Sequence, residues 1–144
     1  MSNDKSYMGS CFCGDVKFRV SGESVANGYC HCTSCRKWSA SPVNAFTLWK
    51  PDALEVLEGE NNLEEYHKTT NSYRKWCRTC GGHLFTGHPN FDLVDVYAAL
   101  IPDYPFKPEL HIHYQEAVMN IKDGLPKMKD LPKEMGGSGE VLPE

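Results

Sequence analysis

Gly9-Ser10-Cys11-Phe12-Cys13-Gly14-Asp15-Val16-Lys17-Phe18-Arg19-Val20 is the stretch whose reading decides the fold. Val16, Phe18 and Val20 alternate with Lys17, Arg19 and Ser21, the period-two pattern of a strand with one buried face. Gly14-Asp15 just before it marks a turn, so Met8–Cys11 and Asp15–Val20 are predicted to form a hairpin. The turn carries a Cys-x-Cys, which makes it a candidate metal knuckle. Reading outward, short strand candidates follow at Val43–Leu48, Leu54–Leu57, Glu65–Lys68, Tyr73–Trp76, Leu84–Thr86, Val94–Ala98 and Leu110–Tyr114. Pro, Gly, Asn and Asp separate them, which predicts a mainly β fold of the sandwich or open-barrel kind. Helical signal is confined to Thr33–Trp38.

The remaining cysteines repeat the knuckle theme. Cys30, Cys32 and Cys35 form a Cys-x-Cys-x-x-Cys, and Cys77 and Cys80 a Cys-x-x-Cys. Two pairs, Cys11/Cys13 and Cys77/Cys80, can close one tetrahedral four-thiolate site, with Gly14 and Gly81-Gly82 freeing the backbone to wrap the ion. The triplet can hold a second metal by three thiolates only. Four protein ligands make a closed structural zinc site, whereas three leave a position for water or substrate. Iron of the rubredoxin type would use similar ligands to the closed site. A histidine could complete the triplet: His31 lies between two of its cysteines, His111 and His113 fall at i and i+2, and His83 and His88 follow the second knuckle. An open position on a three-thiolate zinc suits an exogenous thiol better than hydroxide, and metal coordination deprotonates a thiol outright. Arg36 and Lys37, and also Lys50, are candidate cations for the carboxylates of such a thiol.

A disulfide framework is the weaker reading. Seven cysteines is an odd number, and the polar stretch Met1 to Tyr7 has no signal-peptide apolar core, so a reducing, cytoplasmic setting is expected. No run approaches the roughly 20 apolar residues of a membrane span. With 15 basic and 19 acidic residues the formal charge is −4, which argues against nucleic acid or an anionic membrane as partner. The 144 residues are expected to form one domain: a tail over 1–7, a zinc-binding domain over 8–126, and a loosely packed or disordered tail over 127–144, where Pro132, Pro143 and Gly136-Gly137-Ser138-Gly139 fall.

Gly9-Ser10-Cys11-Phe12-Cys13-Gly14, Cys30-His31-Cys32-Thr33-Ser34-Cys35-Arg36-Lys37 and Cys77-Arg78-Thr79-Cys80-Gly81, in this order, resemble the glutathione-dependent formaldehyde-activating enzymes, a family that includes centromere protein V. The likeness runs from about Gly9 to Asp123-Gly124-Leu125-Pro126. It implies a β-tent fold of short antiparallel strands, a structural zinc on Cys11, Cys13, Cys77 and Cys80, and a catalytic zinc on Cys30, Cys32 and Cys35. It also implies carbon–sulfur lyase chemistry: reversible addition of glutathione to formaldehyde, giving S-hydroxymethylglutathione. Three positions depart from the family pattern: Ser39-Ala40-Ser41 stands where Ser-Gly is expected, His83 where a small residue is common, and Val118-Met119 where Pro-Trp is frequent. The rival reading is a non-enzymatic zinc module that binds a partner.

Overall fold

A computed structural model of the chain describes residues 5–144. The opening hairpin is there: β1 (Ser6–Ser10) pairs antiparallel with β2 (Lys17–Ser21). The alternation sets its faces, with Val16, Phe18 and Val20 fully buried while Lys17 and Ser21 are exposed. Full burial of Phe18 alone is worth roughly 2–3 kcal/mol. Gly9 is required opposite it, since a Cβ there would lie 2.3 Å from Phe18 Cζ and 2.6 Å from the Leu100 carbonyl.

The fold is mainly β, as expected, and its contacts gather into two units, each built from two stretches of chain. The first unit joins the chain up to Ala26 with Thr47–Phe106. Here β5 (Leu54–Glu58) adds to β2, giving a three-stranded antiparallel sheet ordered β1-β2-β5. Four consecutive antiparallel strands form a meander: β6 (Leu63–Thr69), β7 (Ser72–Cys77), β8 (His83–His88) and β9 (Leu93–Tyr97). The apolar core holds Phe18, Trp49, Leu84, Phe85, Val96 and Ile101. Phe18 meets Phe85 edge to face at 4.8 Å. The buried Trp49 Nε1–H donates to Thr47 Oγ1 (2.8 Å), which in turn donates to the Val96 carbonyl, so no indole donor is stranded.

The second unit joins Asn27–Phe46 with Lys107–Glu144. It holds β3 (Ala26–Cys30), the helix α1 (Thr33–Ser39), β10 (Leu110–Ile112), β11 (Lys127–Met128) and β12 (Val141–Leu142). β4 (Asn44–Trp49) supplies residues to both units. Pairing here departs from the antiparallel expectation. β10 runs parallel to both β3 and β11, while β11 and β12 are antiparallel.

Residues 127–144 also depart from the expected loose tail. Lys127 and Met128 are buried in β11, and Glu140 takes the Lys129 N–H at 2.8 Å. Asp130 Oδ1 accepts from the Ser138 N–H and hydroxyl and ties down the glycine run. The expected tail over 1–7 lies partly outside the described residues, and Ser6 and Tyr7 already belong to β1. No described helix is long and apolar enough to cross a membrane.

Candidate metal centres and the site around the cysteine triplet

Cys11 follows β1 and Cys77 closes β7, and each begins a knuckle of the same design. Gly14 N–H donates to the Cys11 carbonyl and Gly81 N–H to the Cys77 carbonyl, with Gly14 at φ +86° and Gly81 at φ +75°, a region that suits glycine. The thiols of Cys11, Cys13, Cys77 and Cys80 all lie within 4.8 Å of one another. Cys11 and Cys13 sulfurs are 3.7 Å apart, and Cys13 and Cys77 sulfurs 3.8 Å. A tetrahedral zinc with bonds of about 2.3 Å separates its sulfurs by about 3.8 Å, so these residues fit the ion.

Donors surround the same sulfurs. Val16 N–H reaches Cys11 Sγ (3.3 Å), Asp15 N–H Cys13 Sγ (3.5 Å) and Gly82 N–H Cys80 Sγ (3.3 Å). Asn62 Nδ2 donates to Cys77 Sγ at 3.1 Å and to Thr79 Oγ1 at 2.8 Å. Such donors favour thiolate over thiol. At Cys80, burial opposes ionisation, yet the Gly82 and Cys13 amides bring the thiol down to about 6. Asn62 was not expected from sequence, since it lies 15 residues from Cys77. Arg78, within the second knuckle, donates from Nε to Glu64 Oε1 at 2.7 Å.

The second cluster is built differently. Cys30 ends β3, Cys32 is the N-cap of α1, and Cys35 lies one turn in; the Cys35 N–H donates to the Cys32 sulfur at 3.3 Å. The sulfurs of all three lie within 4.8 Å of one another, with 3.7 Å between Cys30 and Cys35, again a zinc-compatible spacing. Hydrogen bonds from the Cys30 and Cys35 thiols, with the Cys35 N–H, outweigh burial and bring Cys32 down to about 3. Cys30 is pushed well up by its hydrogen bonding to Cys32 and Cys35 and by burial. Among the described residues no histidine, aspartate or glutamate joins this cluster.

His31, which lies between two of these cysteines, and His111 take another role. His31 and His111 are both fully buried. His31 Nε2 and His111 Nδ1 are 2.8 Å apart, and His111 Nε2 is 2.7 Å from Asp123 Oδ2. Since an ionised carboxylate only accepts, His111 donates Nε2–H to Asp123; a neutral His111 ring then accepts the His31 Nε2–H at Nδ1. Burial first, then the nearby His111 and Arg36, lower His31 to about 4, so its ring stays neutral. His31 Nδ1 is buried with no hydrogen-bond partner.

Lys127 Nζ donates to Asp123 Oδ1 (2.6 Å), Glu144 Oε2 (2.9 Å) and the Leu125 carbonyl (2.8 Å). Burial works against both charges, but their pairing wins: Lys127 is raised, and Asp123, also accepting from His111, is held well below the usual carboxylate range. His113 leaves β10 in a left-handed conformation at φ +54° and lies 3.5 Å from Glu116.

Arg36 and Lys37 part company. Arg36 donates Nε to the His31 carbonyl and Nη2 to Thr33 Oγ1 and the Glu116 carbonyl, each at 3.0 Å, so it braces the cysteine loop. Lys37 is exposed on α1. Lys50 lies 3.7 Å from Asp92, in the first unit.

A mainly β chain with one four-sulfur and one three-sulfur cluster defines a class: a protein with two cysteine centres able to hold metal. The particular family follows from comparison. The family model of the glutathione-dependent formaldehyde-activating enzyme matches residues 6–116, and the chain belongs to that family. An uncharacterised lyase of Schizosaccharomyces pombe is 31% identical over 84 residues, 58% of this chain and 59% of that protein. This match thus spans less than two thirds of the relative's length. A Halomonas elongata protein, provisionally named a glutathione-dependent formaldehyde-activating enzyme, is 31% identical over 109 residues, 70% of this chain and 69% of the relative. A Rhodobacter sphaeroides protein of known crystal structure has the same fold, with a TM-score of 0.57 at 24% identity over 67% of this chain and 89% of that one.

Proposed function

We propose that this chain is a carbon–sulfur lyase that joins glutathione to formaldehyde, and reverses that step, at Cys30, Cys32 and Cys35. The carrying observation is the gathering of three sulfurs at metal-binding distance with no fourth imidazole or carboxylate ligand among the described residues. Zinc held there would supply a soft Lewis acid that keeps an added thiol ionised at neutral pH. The reaction balances without an oxidant: a C–S bond forms to the carbonyl carbon, the C=O π bond breaks, and the thiol proton ends on the new hydroxyl. Cys30, Cys32 and Cys35 hold the centre, Arg36 braces the loop between them, and Lys37 is the exposed cation offered to a glutathione carboxylate. The four-thiolate centre of Cys11, Cys13, Cys77 and Cys80 has a structural role. A reducing compartment such as the cytoplasm keeps all seven thiols available to metal.

The test is isotope-resolved NMR of ¹³C-formaldehyde with glutathione, following exchange into S-hydroxymethylglutathione. The zinc-loaded chain should accelerate exchange, and Cys35→Ser should lower that acceleration at least about 100-fold, beyond the loss typical of removing a mere ligand partner. Equal exchange with the wild type, the variant and no protein would sink the reading.

A further inference from the structure

The strongest unexplained feature is the connected chain of polar groups His31–His111–Asp123–Lys127–Glu144, buried at His31, His111 and Lys127 and reaching the surface at Asp123 and Glu144. His31 and His111 are 0% exposed and Lys127 1%. Replacing buried ionic groups by well-packed apolar ones is often neutral or stabilising, so stability alone does not account for them. Their connection to the rest of the unit does. His31 is the single residue between two proposed ligands, Cys30 and Cys32. Its N–H is fixed to the Ile112 carbonyl (3.1 Å) and its carbonyl to Arg36 Nε (3.0 Å). Its ring is held by His111 and packed by Tyr114, edge to face at 4.8 Å.

Along the extended chain leaving β3, neighbouring side chains point to opposite sides. A ring anchored inward on one side therefore sets where the Cys30 and Cys32 sulfurs stand on the other. We infer that His111 and Asp123 are positioning residues for the three-thiolate centre, acting through the His31 ring to fix the angle at which Cys30 and Cys32 meet a metal. Lys127 and Glu144 complete the device: Lys127 and the Leu125 N–H hold Asp123 Oδ1, and the Glu144 carboxylate accepts the Asp123 and Gly124 N–H groups, each at 2.9 Å. The arrangement differs from the usual supporting contact, in which a carboxylate orients a histidine that itself binds the metal. Here the oriented histidine lies between ligands. The inference rests on the reading that the triplet binds metal.

Co²⁺ is the probe. Thiolate-to-cobalt charge-transfer absorption is recorded for the full chain, and subtraction of the Cys35→Ser spectrum isolates the band of the three-thiolate centre. Affinity is read by competition with a chelator. In His111→Phe and Asp123→Asn the isolated band should shift, and Co²⁺ affinity at the triplet should fall roughly 10- to 100-fold. The four-thiolate centre should keep its affinity, and His111→Gln, which retains a donor and an acceptor, should recover much of the loss. Unchanged band and affinity in Asp123→Asn and His111→Phe would overturn the inference, as would an equal loss at both centres in the near-isosteric Asp123→Asn. Should His111→Phe fail to fold, Asp123→Asn decides. A wild-type chain with no band beyond that of Cys35→Ser would overturn the three-thiolate reading itself, and this inference with it.

Discussion

The two cysteine clusters are made of the same residue type and held in different ways. At Cys11, Cys13, Cys77 and Cys80 the support is mainly backbone: glycine-bearing knuckles and amides aimed at sulfur close by in sequence, with the Asn62 side chain added at Cys77. At Cys30, Cys32 and Cys35 one amide, the Cys35 N–H, reaches a sulfur, and further support comes from side chains. A histidine between the ligands is locked by residues 80 and more positions away, and an arginine clamps its carbonyl. Local backbone support suits a centre that closes on itself. Remote support would leave one side of an ion held there without a ligand from the described residues, at the cost of burying the Lys127 charge.

The comparison breaks most sharply at single ligands. Cys77 is fully buried and closes β7 in the core of the first unit. Cys77→Ser should abolish cooperative unfolding or lower its midpoint severely. At metal a thousandfold above Kd, occupancy alone contributes about 4 kcal/mol, and the vacated ligand position adds to the loss. Cys35→Ser should leave the unfolding transition of the first unit in place while halving the metal content. Thermal unfolding with metal analysis checks both. Similar collapse in the two variants would erase the distinction between a closed, architectural centre and an open one.

A smaller effect sharpens the side-chain support of the triplet. Asp123 is depressed by Lys127 and His111, so the stability it contributes is present above the ordinary carboxylate value of about 4 and is lost as pH falls through its folded value. Lys127 is raised, so its contribution is present below about 10.4 and lost only as pH rises past the folded value. The difference in unfolding free energy between wild type and Asp123→Asn should therefore be flat from about pH 5 to 9 and shrink at lower pH. Denaturant titrations across that range measure it. A difference that grows on acidification would contradict the pairing.

The same contrast explains what the sequence disclosed. Ligand spacing is local, so both clusters could be read from Cys-x-Cys and Cys-x-x-Cys alone, and alternation at Val16, Phe18 and Val20 revealed the first hairpin. β3 was hidden because Asn27-Gly28 reads as a turn. In the fold, Gly28 sits in a strand since a Cβ there would lie 2.4 Å from the Leu110 carbonyl on the parallel neighbour. Lys127 fell in the stretch expected to be loosely packed or disordered. Its burial depends on Glu144, 17 residues on, and on Asp123, of which only the i, i+4 Asp123–Lys127 spacing offered a local hint. His31 and His111 carried no sign of each other, and which of several histidines pairs with which is set by the parallel register of β3 and β10.

The smallest effect concerns the helix that carries Cys35. α1 ends at Ala40, whose φ of +60° and ψ of +25° place it in the left-handed region. Glycine is the common solution at such a helix end, and a Cβ there costs roughly 1–2 kcal/mol. The Ser-Gly expected from the resemblance, where this chain has Ser39-Ala40-Ser41, would thus have a conformational reason. Ala40→Gly removes the strain but gains freedom in the unfolded chain, worth about 0.5–1 kcal/mol in the other direction. The net should be a stabilisation of about 1 kcal/mol or less, read as a small rise in the unfolding midpoint with metal affinity at both centres unchanged. A fall in stability would mean that Ala40 makes contacts worth more than the strain it bears, and that α1 is held from its C-terminal end as well as through Cys32 and Arg36.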